Sequence, residues 1–256
     1  MVSNLLMEIS GQENEQDILI AGDKWNPKGY FENKETVILN NSILLGRYAL
    51  SNRLLRNPEL QANSLIAKLA ALSNINYLLL MAFPKLIDVK SKAYKAEIWQ
   101  HSKRNDGRII KDPRFSLLLE PWQETKSIQK IIFCFREPYE VALSLKKRSG
   151  SPVSVGLQLW KFHNERFLAS ISSSEGANIN FVKYANFFDS TTIEAEMKCL
   201  YGFLDLPFNS AQAGQVSKRV ITHSLKHHSR AHENYSSEIE KIYAELSERH
   251  ANQGAK

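Results

Sequence analysis

Apolar residues recur along this chain with two periods. Where they stand three and four apart they predict a helix, and where they run consecutively and are β-branched or aromatic they predict a buried strand. Val2, Leu5, Leu6 and Ile9 fall at i, i+3, i+4 and i+7, so an amphipathic helix is expected to begin almost at Met1, with no room for a strand before it. Asp23 to Gly29, with Asn26-Pro27 and Gly29, reads as a loop. Asn33 then suits the cap of a helix running to about Asn52, with Glu35 in its first turn. A second helix from about Glu59 to Leu80 would place Leu65, Leu69 and Leu72 on one side, and a third covers about Leu86 to His101. Arg104 to Gly107 reads as a turn, followed by a short strand from Arg108 to Lys111 that stops at Asp112-Pro113.

The clearest signal lies further on. Ile131 to Phe135 is a continuous β-branched and aromatic run, as in a strand of a parallel sheet covered on both faces. Pro138 suits the first turn of a helix, where its missing N–H would be unpaired anyway. Val141 and Leu145 share one face of that helix, and Glu140, Ser144, Lys147 and Arg148 share another. Pro152 opens a further helix to about Ser172, with Val155, Leu159 and Phe162 inward. Ser172 to Gly176 is a loop before a strand from Asn178 to Lys183. A helix from about Asp189 to Phe203, an irregular basic stretch, and a helix with Ile239, Ile242, Tyr243 and Leu246 on one side complete the pattern. Helices interleaved with short apolar strands predict an α/β fold with a mainly parallel sheet. With 256 residues and 43% hydrophobic content the chain can bury one sizeable core, so a single domain over 1–256 is expected.

Charge narrows the partner without choosing it. A net charge of +6 and a pI near 9.2 favour an anionic ligand or surface, whether nucleotide, nucleic acid or membrane. Nucleic acid is disfavoured, because aromatic and basic residues are not interleaved and no known module is present. The two cysteines, Cys134 and Cys199, have neither metal-ligand spacing nor a disulfide framework, so both are expected as small core residues in a reducing compartment. The longest apolar run, Tyr77 to Phe83, is too short to span a bilayer, and no basic residue precedes Lys24 as a secretory signal would require. A soluble cytoplasmic protein is the expectation.

Four polar clusters fall at expected strand ends and loops. Arg136 closes the strand where open α/β folds bind ligands, just before a helix start that favours anions. The alternative there is pairing with Glu137 or Glu140. Lys111-Asp112-Pro113-Arg114 offers a lysine to neutralise developing charge and a carboxylate to accept a proton, or else an ion pair that holds a turn. The loop from Asn26 to Glu32 ends in a carboxylate, which is either reactive or a partner of the helix dipole. Last, Lys218-Arg219 and the stretch from His223 to His232, with Lys226, His227, His228 and Arg230, is a basic strip that closes over a phosphate or is a solvated face. Its histidines lack the cysteine or carboxylate spacing of a metal site, so no metal is expected.

Taken in order, Asn26-Pro-Lys-Gly-Tyr-Phe-Glu32, Lys111-Asp-Pro-Arg114, Arg136-Glu-Pro138 followed by Ser144, and Ser224-Leu-Lys-His-His228 resemble the bacterial sulfotransferase family, and the middle part is similar to cytosolic sulfotransferases. In both, a strand-end lysine precedes a leucine-rich turn, here Leu117 to Leu119, and an arginine and a serine stand eight residues apart, as Arg136 and Ser144 do. The resemblance implies a three-layer P-loop-like α/β fold that uses 3′-phosphoadenosine-5′-phosphosulfate to sulfonate a hydroxyl or amine acceptor. Arg136 and Ser144 match the pair that grips the 3′-phosphate, with Lys226 and Arg230 as further nucleotide contacts. Lys111 matches the lysine beside the transferring sulfuryl group. Cytosolic members keep a histidine base two residues after that lysine, where this chain has Pro113, so Glu32 or Asp112 is left as the base. The family opens with a strand and a phosphosulfate-binding loop, whereas Met1 to Ser10 resembles the helix that follows that loop. The expectation is therefore a chain that begins one strand and one turn late, without the first central strand. A remnant that only binds the 3′-phosphoadenosine half of the nucleotide is the alternative function.

Overall fold

Helices make up most of the backbone of the computed structural model, which describes residues 2–11, 19–20, 30–57, 74–173, 178–221 and 236–253. In chain order the elements are α1 (Val2–Ser10), α2 (Lys34–Leu45), α3 (Leu50–Arg56), α4 (Asn74–Ala82), α5 (Lys85–Ala93), α6 (Lys95–Arg104), α7 (Phe115–Gln123), β1 (Ile131–Phe135), α8 (Pro138–Ser149), α9 (Val153–Ser172), β2 (Ile179–Lys183), α10 (Ile193–Phe203), α11 (Ser210–Val220) and α12 (Ser237–Gln253). The chain divides into two compact units. One holds α1, β1, α8, the start of α9, β2 and α10 to α12; the other holds α2 to α7 and the end of α9.

In the first unit β1 and β2 pair in parallel, from Ile131 against Ile179 to Phe135 against Lys183, and this two-stranded sheet makes the fold α/β in the broad sense. The outer edge of β2 is covered by a side chain. The Phe181 N–H donates to Gln253 Oε1 and Gln253 Nε2 donates back to the Phe181 carbonyl (3.0 Å), so the amide of Gln253 on α12 stands in for the peptide group of a neighbouring strand. Ile239, Ile242 and Leu246 bury the inner face of α12 as expected, while Tyr243 lies half-buried against Phe135 and Trp160. The same helix end is tied down by His250, which pairs with the buried carboxylate of Glu196; Asn186 also donates to that oxygen (2.6 Å).

Several expectations need correction in this unit. β1 is not covered on both faces: only Phe135 is buried and Cys134 is exposed rather than part of the core. Among the described residues β1 has one strand neighbour. The inward face of α9 runs through Gly156, Trp160, Asn164, Phe167 and Ile171, and Val155, Leu159 and Phe162 flank it half-buried. Trp160 sets that register, because its ring packs on Tyr243 and its indole N–H donates to the Arg136 carbonyl (3.0 Å). α10 starts at Ile193 after a short 3₁₀ helix, Tyr184–Phe188. The supposedly irregular basic stretch contains α11, whose cap Asn209 accepts from the Gln212 N–H (3.0 Å) and whose Ala213, Val216 and Val220 are buried at helical spacing.

In the helical unit Asn33 caps α2 as predicted, its side chain accepting from the Thr36 N–H (3.0 Å). That helix stops at Gly46, whose φ of 101° is open to glycine, and resumes as α3, so it does not run unbroken to Asn52. Of the helix expected over 59–80, residues 59–73 lie outside the described residues, and α4 carries the rest to Ala82. The helix expected over 86–101 is two, broken at Tyr94. Residues 108–111 form no strand, because two isoleucines between Arg108 and Lys111 are too short an apolar run to hold a ladder. α7 carries Pro121, which cannot donate to the Leu117 carbonyl one turn earlier. Arg166 Nε at the end of α9 donates to that oxygen instead (2.7 Å) and its Nη2 pairs with Asp88. Among the described residues no helix is long and apolar enough to cross a membrane.

Candidate functional site

Lys111-Asp112-Pro113-Arg114 folds back on itself where the chain enters α7. Asp112 Oδ1 accepts from the Arg114 backbone N–H (2.9 Å) and from Arg114 Nη1 (2.7 Å). Its Oδ2 accepts from Asn40 Nδ2 of α2 (2.9 Å), and Asn40 Oδ1 in turn accepts from Trp122 Nε1 (3.0 Å). Both oxygens of Asp112 are thus committed in a side chain with no exposed surface. Its role in this arrangement is to position Arg114.

Glu32 lies on the other side of the same cations. Its Oε1 accepts from Lys111 Nζ (2.6 Å) and its Oε2 stands 3.5 Å from Arg114 Nη1. Lys111 also donates to the Tyr30 carbonyl (3.1 Å). Between those two acceptors Phe31 holds φ of 54°, a left-handed conformation that costs a non-glycine residue about 1–3 kcal/mol. The strain turns a carbonyl and a carboxylate onto one ammonium. Two carboxylates and two cations therefore balance in charge, and access differs among them: the Lys111 side chain is 32% exposed against 9% for Glu32.

Electrostatics follow from this packing. Burial works against the charge on Arg114, but Asp112, Tyr77 and Glu32 outweigh it and raise its pKa above the ordinary arginine value. Burial raises the pKa of the Tyr77 hydroxyl, an effect opposed in part by its hydrogen bond to the Arg114 cation. Beneath the cluster, buried His101 shares a hydrogen bond with Thr36 Oγ1 (2.8 Å) and sets its ring edge-on to Trp122. Burial lowers its pKa, opposed in part by Glu35.

Arg136 belongs to the sheet unit, immediately after β1. Its Nε donates to Glu140 Oε2 (2.8 Å), so the pairing with Glu140 does form. Its guanidinium lies over the Tyr184 ring at 4.5 Å, and neither Nη nitrogen has a hydrogen-bond partner among the described residues. Glu137 caps α8 by accepting from the Glu140 N–H (2.7 Å). Ser144 is exposed, one turn beyond Glu140 on the same face. Lys226 and Arg230 lie outside the described residues, as does the loop from Asn26 to Gly29.

Glu32, Lys111 and Asp112 thus come together as one network, while in the other unit Arg136 precedes α8 and Ser144 lies on its second turn. Sequence reasoning missed Asn40, Tyr77 and Tyr184 as partners. Asn40 left one signal, a polar residue on the face of α2 that also buries Val37 and Leu44. Among the described residues no group of three His, Cys, Asp or Glu side chains is placed to hold a metal ion. Compared with protein-family models, curated proteins and solved structures, the chain matches none.

Proposed function

We propose that this chain is a sulfotransferase-like protein of P-loop-like fold that takes a sulfuryl group from 3′-phosphoadenosine-5′-phosphosulfate to a hydroxyl or amine acceptor. The observation that supports this most is Arg136, a strand-end guanidinium with two Nη nitrogens left to meet an anion. In this reading Arg136 and Ser144 hold the 3′-phosphate. Lys111 offsets charge on the sulfuryl oxygens, and Glu32 gives up its bond to Lys111 to take the acceptor's proton. The acceptor oxygen or nitrogen bonds to sulfur as the bond from sulfur to the donor phosphate oxygen breaks, releasing adenosine 3′,5′-bisphosphate. Asp112, with both oxygens engaged, serves by positioning Arg114.

A second reading is nucleotide binding without transfer. It is favoured by the commitment of Lys111 to Glu32 and the Tyr30 carbonyl, which leaves both groups neutralised by each other.

Titration calorimetry with adenosine 3′,5′-bisphosphate tests the shared part. Binding is expected, and Arg136→Ala should weaken it by about 1.5–3 kcal/mol, as for a charged hydrogen bond. No binding, or equal affinity in the variant, would overturn both readings. Incubation with the sulfuryl donor and mixed hydroxyl and amine acceptors, followed by mass spectrometry, then separates them: sulfonated product that disappears in Lys111→Ala supports transfer, and binding without product supports the second reading.

A further inference from the structure

Helices α4 and α5 leave an apolar ridge facing solvent. Leu79, Phe83, Leu86 and Val89 follow one another at spacings of four, three and three, and they are 52%, 60%, 42% and 65% exposed. The ridge is not a core face turned outward. Leu80 and Ile87 anchor the opposite sides of the same helices at 2% and 0% exposure, and the Phe83 N–H donates to the Leu79 carbonyl (2.9 Å) while the Leu86 N–H donates to the Phe83 carbonyl (3.0 Å), so the corner is ordered. Phe83, Lys85, Leu86 and Val89 line one open hollow together with Ala82 and Pro84.

Among the described residues, the charges on α5 are mostly cationic. Lys85 borders the hollow, and Lys92 is exposed one turn beyond Val89. The one carboxylate of α5, Asp88, is half-exposed and is neutralised by its ion pair with Arg166. Aliphatic and aromatic side chains standing proud beside lysines match the surface of an anionic bilayer, where apolar groups enter the acyl boundary and ammonium groups meet lipid phosphates. A second copy of the chain fits less well, because two such ridges face to face would set lysine against lysine.

We propose that the corner of α4 and α5 docks the protein on membranes that carry anionic lipid, lying on the surface without spanning it. The proposal does not depend on the assignment of any residue to sulfuryl transfer.

Sedimentation of the full chain with vesicles of phosphatidylcholine alone, or of phosphatidylcholine with phosphatidylserine, tests it. Binding is expected to the mixed vesicles, at least tenfold weaker to phosphatidylcholine alone, and weaker in high salt. Lys85→Glu should lower affinity about tenfold or more, since each lysine near such a surface contributes about a fivefold factor and the substitution also reverses the charge. The double variant Phe83→Ser with Val89→Ser should lose at least a similar factor, from apolar area no longer buried. All these side chains are exposed, so circular dichroism spectra matching the parent are expected for every variant. Failure to bind mixed vesicles, variants that bind as the parent does, or a dimer in sedimentation velocity that dissociates on Phe83→Ser and ignores vesicles would each overturn the proposal, the last in favour of self-association.

Discussion

Gly156 offers the sharpest test of how the strand-end arginine is held. A β-carbon built there would lie 2.8 Å from the Cα of Ala142, 2.9 Å from its Cβ and 3.3 Å from its carbonyl oxygen. These are mostly backbone atoms of α8, so no side chain can swing aside; α8 and α9 must separate by several tenths of an ångström. Overpacking of this kind costs about 1–3 kcal/mol. Against it stands the gain in helix propensity from glycine to alanine, about 0.8–1.0 kcal/mol. The clash is expected to offset or exceed the gain, leaving Gly156→Ala up to about 2 kcal/mol less stable than the parent. Gly214 on α11 is the control, since a β-carbon there meets nothing within 4 Å and alanine should stabilise by about 0.5–1 kcal/mol. Equilibrium urea denaturation gives both values from shifts in midpoint at constant slope. The effect should reach function too, because Trp160, one turn beyond Gly156, donates to the carbonyl of Arg136, and Ser144 lies on the displaced helix. Gly156→Ala stabilising as much as Gly214→Ala would refute the close approach of α8 and α9.

Two further outcomes are expected. Gln253→Ala removes both partners of the Phe181 peptide group on the edge of β2, which should cost about 1–3 kcal/mol and abolish hydrogen-exchange protection of the Phe181 amide; protection equal to the parent's would show that the amide clamp is not formed. For His101, whose pKa burial lowers from the ordinary value of 6.5, the unfolded chain binds the proton more readily, so stability should fall as pH drops through 6.5 and level off below the native pKa. Urea midpoints measured across that window in the parent and in His101→Gln check the sign, and a slope that survives the substitution would assign it elsewhere.

What was legible in the sequence is what local chemistry decides. The cap at Asn33, the strand from Ile131 to Phe135 and the start of α8 at Pro138 rest on interactions within a few residues, and each stands where the pattern put it. Isoleucines 109 and 110 have strand character, but a strand needs a partner and that is not a local property. α11 was hidden for the opposite reason: Gly214, Ser210 and Ser217 lowered its apparent helicity, while burial of Ala213, Val216 and Val220 by the rest of its unit decides the matter.

The candidate site divides along the same line. Arg136 could be placed from sequence because the end of a strand locates it, and so could the choice between anion binding and pairing with Glu140, though not its outcome. Pairing forms: Glu140 takes Nε, the Tyr184 ring lies under the guanidinium, and among the described residues the Nη edge is left over. A carboxylate at Nε fixes the fork in orientation and leaves the Nη pair free of that contact, so pairing with Glu140 does not by itself exclude a second anion. Asp112 followed the reverse course. It stood beside Lys111 in sequence as a candidate base, but the partners that commit its oxygens include Asn40, seventy-two residues away, a distance over which no periodicity carries information. With that carboxylate occupied, Glu32 is the remaining candidate base, and its bond to Lys111 is one that an acceptor would have to displace.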